Sequence, residues 1–252
     1  MSYLFGGLDN TGKSEACMRW IVESQTKAKP GIYLDLEAPR AENLRKERYA
    51  THDINIRSCK VIIQKSDANH RRGERDPVAS YKLFDKELNG VLDSFEKYSV
   101  VVVDGISDIR SDYAELWLTE YNLKHPDKKR KVIGKDPGAW GVINRQVYDK
   151  TIQPLQELSD LTGTTVLFTA KMKDDYKLVK DWEGKEDTQK TGIKLIDVDQ
   201  DMRHNLSTIC QMTADDKGKY YIAVQKSKKG IFTKVEITGK SVYEYLIMDK
   251  EL

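Results

Sequence analysis

The run Gly7-Leu8-Asp9-Asn10-Thr11-Gly12-Lys13-Ser14 constrains this chain more than any other feature. It follows a short apolar segment, Tyr3-Leu4-Phe5. It leads into a stretch where Cys17, Trp20 and Ile21 recur at helical spacing up to about Gln25. The sequence therefore predicts a strand, a tight turn and a helix in immediate succession. Glycines let the turn point successive N–H groups inward, and the helix start adds a positive dipole end. Such a turn is a cradle for phosphate oxygens. With glycine at about 7% of residues, chance yields this spacing roughly once in a hundred chains of this length.

Each side chain of the cradle has a chemical role. Lys13 is placed to neutralise β- and γ-phosphates, and Ser14 to put its hydroxyl on Mg²⁺. Gly7, Asp9, Asn10, Thr11, Gly12 and Glu15 complete the expected contacts to ATP. A second acidic signal supports this reading. Val100-Val101-Val102-Val103-Asp104 is a buried strand delivering one carboxylate to its C-terminal end, where it would hold Mg²⁺ through a water. Gly105 follows Asp104, so a base for hydrolysis must come from elsewhere. The strand Ile32-Tyr33-Leu34-Asp35-Leu36-Glu37 offers Asp35 and Glu37 on one face, and alternation alone does not choose between them.

At this point the chain resembles the RecA-like ATPases, a group that includes recombinases, DnaB-type helicases and phage single-strand-annealing ATPases. In that group the catalytic glutamate follows the second strand in a pattern like F-I-D-A-E-H-A. The stretch Tyr33-Leu34-Asp35-Leu36-Glu37-Ala38-Pro39 is similar, so the resemblance implies Glu37 as the base. It implies a γ-phosphate sensor at the end of Val166-Leu167-Phe168-Thr169-Ala170-Lys171, carried by Thr169 or Lys171. It also implies that the K-x-K pair Lys226 and Lys228 reaches the nucleotide of a neighbouring subunit. The implied fold is α/β: a RecA-like P-loop domain over residues 1–252, with a mostly parallel central sheet flanked by helices and a C-terminal antiparallel extension. The implied function is Mg-dependent ATP hydrolysis coupled to DNA, single-stranded by expectation, in recombination, annealing or replication, with self-association into a ring or filament. A minimal core of this kind looks most like phage- or archaeal-encoded accessory ATPases.

Strands are expected at Ser2–Phe5, Gly31–Leu36, Lys60–Gln64, Ser99–Asp104, Thr164–Thr169, Leu206–Met212, Tyr220–Gln225 and Thr233–Ile237, with helices over Pro77–Tyr98 and Pro137–Thr162. Arg110–Lys135 and Lys171–Asn205 show no clear periodicity and are expected as long loops. The first carries Lys124, Lys128, Lys129, Arg130, Lys131 and Lys135. The second mixes six lysines with Tyr176 and Trp182, a pairing of charge and rings that suits single-stranded DNA, although acidic residues offset much of it.

The chain's 252 residues hold 42 Lys+Arg against 40 Asp+Glu, so its net charge of +2 leaves any nucleic-acid affinity to local patches. No apolar run approaches the roughly 20 residues of a membrane span. Cys17, Cys59 and Cys210 form no pairing pattern, which favours a reducing cytoplasmic compartment. The four histidines lack metal-ligand spacing. Two competing readings are a P-loop nucleotide kinase, whose arginine-rich lid the loop Arg71-Arg72-Gly73-Glu74-Arg75 resembles superficially, and an ATP-binding regulatory switch in which Glu37 only caps a strand.

Overall fold

Four strands are buried on both faces, which requires helices on both sides of the sheet. The computed structural model, which describes residues 1–37, 40–67, 70–134, 136–180, 186–227 and 234–248, shows this cover. In chain order the elements are β1 (Ser2–Gly7), α1 (Lys13–Ser24), β2 (Gly31–Asp35), α2 (Arg40–Arg48), β3 (Asn55–Ser58), β4 (Ile62–Asp67), β5 (His70–Arg75), α3 (Pro77–Leu92), β6 (Val100–Asp104) and α4 (Ile106–Lys124). There follow α5 (Pro137–Val147), α6 (Gln153–Thr162), β7 (Thr165–Ala170), β8 (Met172–Lys180), β9 (Glu186–Ile196), α7 (Gln200–Asn205), β10 (Thr208–Ala214), β11 (Tyr220–Ser227) and β12 (Lys234–Glu236). Among the described residues the central sheet has eight strands in the order β12-β11-β10-β1-β7-β6-β2-β3. The strands from β10 to β3 are parallel, whereas β11 and β12 are antiparallel additions at one side.

Winding explains which helix covers which face. From β1 the chain steps outward to β2 and β3, and α1 and α2 bury Trp20, Ile21, Ala41 and Leu44 on one face. It then returns through β6, β7 and β10, and α3, α4, α6 and α7 bury Phe84, Ile109, Leu155 and Met202 on the other. Right-handed crossovers require this change of face when the direction of travel reverses. The C-terminal ends of the parallel strands therefore share one edge. The turn after β1, Glu37, Asp104 and Lys171 all emerge there.

Seven of the expected strands fall where the apolar runs predict. The eighth, Lys60–Gln64, does not join the sheet. The sheet takes Asn55–Ser58 instead, a short edge strand with no apolar alternation, and Ile62–Asp67 pairs with His70–Arg75 in a separate hairpin. The expected helix over Pro137–Thr162 is continuous. It passes through a π-helical turn at Tyr148–Ile152 just before Pro154, whose ring and missing N–H a regular helix would not tolerate, and Gly163 ends it at φ 74°.

Both expected loops are corrected. Most of Arg110–Lys135 belongs to α4, whose periodicity is obscured because Asp112 occupies a buried position beside Ile109, Ala114 and Leu118. Most of Lys171–Asn205 forms the antiparallel hairpin β8–β9 and the short α7, built from polar residues without period-2 patterning. Helix α2, in which six of nine residues are charged, has no apolar periodicity to announce it and was not expected. No helix among the described residues is long and apolar enough to cross a membrane.

Candidate functional site

The turn after β1 has the backbone that its glycines predict. Asn10 and Gly12 adopt left-handed φ values of 61° and 82°. A Cβ on Gly7 would stand 2.4 Å from Thr11 Oγ1 and 2.7 Å from the Met212 carbonyl oxygen, so only glycine fits there. Thr11 donates to the Leu8 carbonyl at 2.8 Å, which braces the turn. The buried Lys13 ammonium donates to the Gly7 and Leu8 carbonyls at 3.0 and 2.9 Å. No side chain caps the start of α1, so its first amides face the turn. Asp9 is exposed at the rim. Glu15 faces α2, accepting from Tyr49 at 2.8 Å and pairing with Arg48 at 2.9 Å.

Opposite the turn stands Asp104, 2% exposed at the end of β6. Three hydroxyls donate to its carboxylate: Ser14 from α1 at 2.9 Å, Tyr33 from β2 and Thr169 from β7. Thr169 also accepts the Gly105 N–H at 2.9 Å, fixing the turn into α4. Thr169 is thus a holder of Asp104 in this arrangement. Strand register explains the meeting, since Asp35, Asp104 and Thr169 lie level on β2, β6 and β7.

Asp35 is buried beside Asp104. Its Oδ1 accepts the Glu37 N–H at 2.9 Å, whereas Oδ2 has no hydrogen-bond partner. Burial, then the Asp104 charge, push its carboxyl up to about 7 despite the amides of Glu37 and Ala41. Glu37 is raised for the same two reasons, with Lys171 and Lys13 opposing. Lys171 lies 3.7 Å from Glu37 and donates to Asp108 at 2.9 Å. Burial works against its ammonium, but the Asp108 hydrogen bond and the charges of Asp108, Glu37 and Asp9 outweigh that and raise its pKa.

A cavity of about 570 Å³ opens beside the turn, lined by Asn10 to Ala16, Glu37, residues of α2 including Asn43 and Arg48, and the C-terminal side chains Met212, Tyr220, Ile237, Lys240 and Val242. The Tyr220 ring lies against Gly12, where a Cβ would stand 3.4 Å from its edge. A small-molecule site usually has this size and this mixture of apolar wall and converging polar groups.

No protein-family model matches this chain, and no curated protein matches it. The Ser14 hydroxyl and Asp104 carboxylate are hard oxygen donors 2.9 Å apart, a set that suits Mg²⁺ completed by water and phosphate oxygens. Among the described residues no group of three or more His, Cys, Asp or Glu is arranged to hold a metal ion.

The fold thus brings Gly7, Asp9–Ser14, Glu37, Asp104, Thr169 and Lys171 to one edge. Lys226 lies on β11 opposite Ile209 of β10, and Lys228, Ala38, Pro39, Lys135, Trp182 and Lys185 lie outside the described residues. Sequence reasoning missed Tyr33, Arg75, Asp108 and Asp112. Tyr33 carried a signal, being a lone phenol two residues before Asp35 in an otherwise aliphatic strand. Arg75, in the loop that superficially resembles a kinase lid, ends β5 and is held by the Leu36 carbonyl, Asp108 and Asp112.

Proposed function

We propose that this chain is an Mg-dependent ATPase of the RecA-like class, acting on DNA, single-stranded by preference, in recombination, annealing or replication. One observation carries the ATPase reading: Ser14 on the helix of the phosphate turn and Asp104 at the end of the valine strand, 90 residues apart, meet at 2.9 Å above a buried lysine. Support for the RecA-like class comes from the order of the motifs along the chain and from the common sheet edge where the turn, Glu37, Asp104 and Thr169 emerge.

In this reading the amides of the turn and the start of α1 hold the triphosphate, and Lys13 transfers its hydrogen bonds from loop carbonyls to phosphate oxygens. Ser14 and Asp104 hold Mg²⁺, Asp104 through a water, and the ion supplies positive charge against the phosphates. The nucleoside occupies the cavity between α2 and the C-terminal strands, with Tyr220 available to stack on the base. Glu37 accepts the proton of the attacking water, and its raised pKa makes it a better base than a solvated carboxylate. Lys226 and Lys228 serve a neighbouring subunit's site in a ring or filament. A regulatory switch with negligible turnover is favoured by one observation, the pairing of Glu37 with Lys171, which occupies the base.

Two variants separate these readings. Lys13→Ala should raise the Kd for MgATP at least about a hundredfold by titration calorimetry, two or more buried charge-assisted hydrogen bonds being lost. Glu37→Gln should bind within a few-fold of the parent and lose about 10²–10⁴ in turnover. Unchanged affinity in the first sinks the triphosphate site. Unchanged turnover in the second leaves the switch.

A further inference from the structure

Behind Glu37 lies a set of ion pairs that the hydrolytic reading does not use. Arg75, the last residue of β5, donates from Nη1 to the Leu36 carbonyl at 3.1 Å, one residue before Glu37. Its Nη2 binds Asp112, whose side chain is 4% exposed, and its guanidinium lies 3.5 Å from Asp108. Lys171, at the root of β8–β9, binds the same Asp108 and approaches Glu37 from the other side. The Lys171 N–H also donates to Ser107 Oγ at 3.1 Å, so its backbone is tied to the start of α4. Two carboxylates one turn apart on α4 therefore hold two cations from the roots of two hairpins. One cation grips the main chain before Glu37, and the other faces its carboxylate. Arg75 is absent from the cavity lining.

We propose that Arg75 is a positioning residue for Glu37, so that the roots of the β4–β5 and β8–β9 hairpins, joined through Asp108 and Asp112, set where the base stands. This rests on the reading of Glu37 as the base. A planar fork is needed, because one guanidinium serves a carbonyl and two carboxylates that a lysine point charge cannot reach together. Displacement of either hairpin by a bound partner then moves Glu37 and alters turnover without altering nucleotide affinity. An ångström of misplacement at a reacting group is enough to matter.

Removing Arg75 alone would orphan the buried Asp112 and threaten folding. The test therefore compares the full chain with the neutral double variant Arg75→Gln/Asp112→Asn and with Arg75→Lys. It measures MgATP Kd, single-turnover hydrolysis, and amide hydrogen exchange over residues 31–37. The double variant should keep its Kd within about threefold, lose about 10- to 100-fold in hydrolysis and exchange faster at Leu36 and Glu37. Arg75→Lys should recover part of the rate. Parental hydrolysis in the double variant overturns the proposal, as does a parallel loss of affinity and rate. If the parent itself fails to hydrolyse ATP, the hydrolase reading falls separately, and exchange decides: an unchanged β2 exit overturns the anchoring by Arg75, and a faster one upholds it.

Discussion

Asp104 receives three hydroxyl donors, whereas its level neighbour Asp35 receives only backbone amides on one oxygen. This inequality predicts a pH effect. The Asp35 carboxyl titrates at about 7 in the fold and near its ordinary 3.8 when unfolded, so the native state holds the proton more tightly. Its contribution to stability is complete below about pH 4, declines as pH rises towards 7 and is flat above that. Asp112, raised to about 6 by burial that Arg75 only partly offsets, acts in the same sense. In Asp35→Asn, unfolding free energies from urea titrations at pH 4.5 and 7.5 should converge relative to the parent by up to a few kcal/mol in nucleotide-free protein. Equal pH slopes in the two proteins would remove this role for Asp35. At this scale the meeting of Lys13, Ser14 and Asp104 was legible because a motif of fixed residue type and spacing starts one helix and an apolar run ends in a single acid. Tyr33 and Asp112 were less so, because only the register of β2 against β6 and the burial of one acid on α4 give them meaning.

Elements show where period-based reading succeeds. Strands β1, β2, β6 and β7 are covered on both faces, and an uninterrupted apolar run is unmistakable. The edge strand β3 has no fully buried residue, and the separate hairpins β4–β5 and β8–β9 are mostly polar or charged in sequence, so none leaves such a mark. In β8–β9 the order comes partly from cross-strand charge, since Asp174 pairs with Lys190 at 2.7 Å and also with Lys194. Those lysines are engaged within the hairpin and so contribute less to a basic patch than their number suggests. The hairpin is also wedged against the phosphate turn's own strand. A Cβ on Gly6 of β1 would stand 2.4 Å from Cγ1 of Ile196, which is buried and branched at Cβ. Gly6→Ala should therefore destabilise by about 1–3 kcal/mol, and Ile196→Ala in the same chain should restore part of the loss. Equal melting temperatures for Gly6→Ala and the parent would show that the hairpin root yields freely.

The whole molecule places its basic segments unevenly about the site. Helix α4 extends about 28 Å for its 19 residues, so the run from Lys124 to Lys131 stands far from Asp104. That run is folded against the helix: Asn122 bonds both the N–H and the carbonyl of Arg130, whose guanidinium lies 4.6 Å over Tyr121. With a net charge of only +2, the proposed DNA affinity would rest on such local patches. ATP hydrolysis followed with and without single-stranded DNA, together with mass by light scattering, should show faster turnover and a larger particle when DNA is present. Hydrolysis by a monomer indifferent to DNA would leave the phosphate chemistry intact and refute the coupling to assembly.

The phosphate turn satisfies itself: Lys13 is bonded to Gly7 and Leu8, and Ser14 to Asp104. In the proposed reading, loading is an exchange of partners, and net affinity is the surplus of the new contacts over those surrendered. A fragment too small to compensate for both releases, such as free phosphate, would be turned away by the same residues that grip the full ligand.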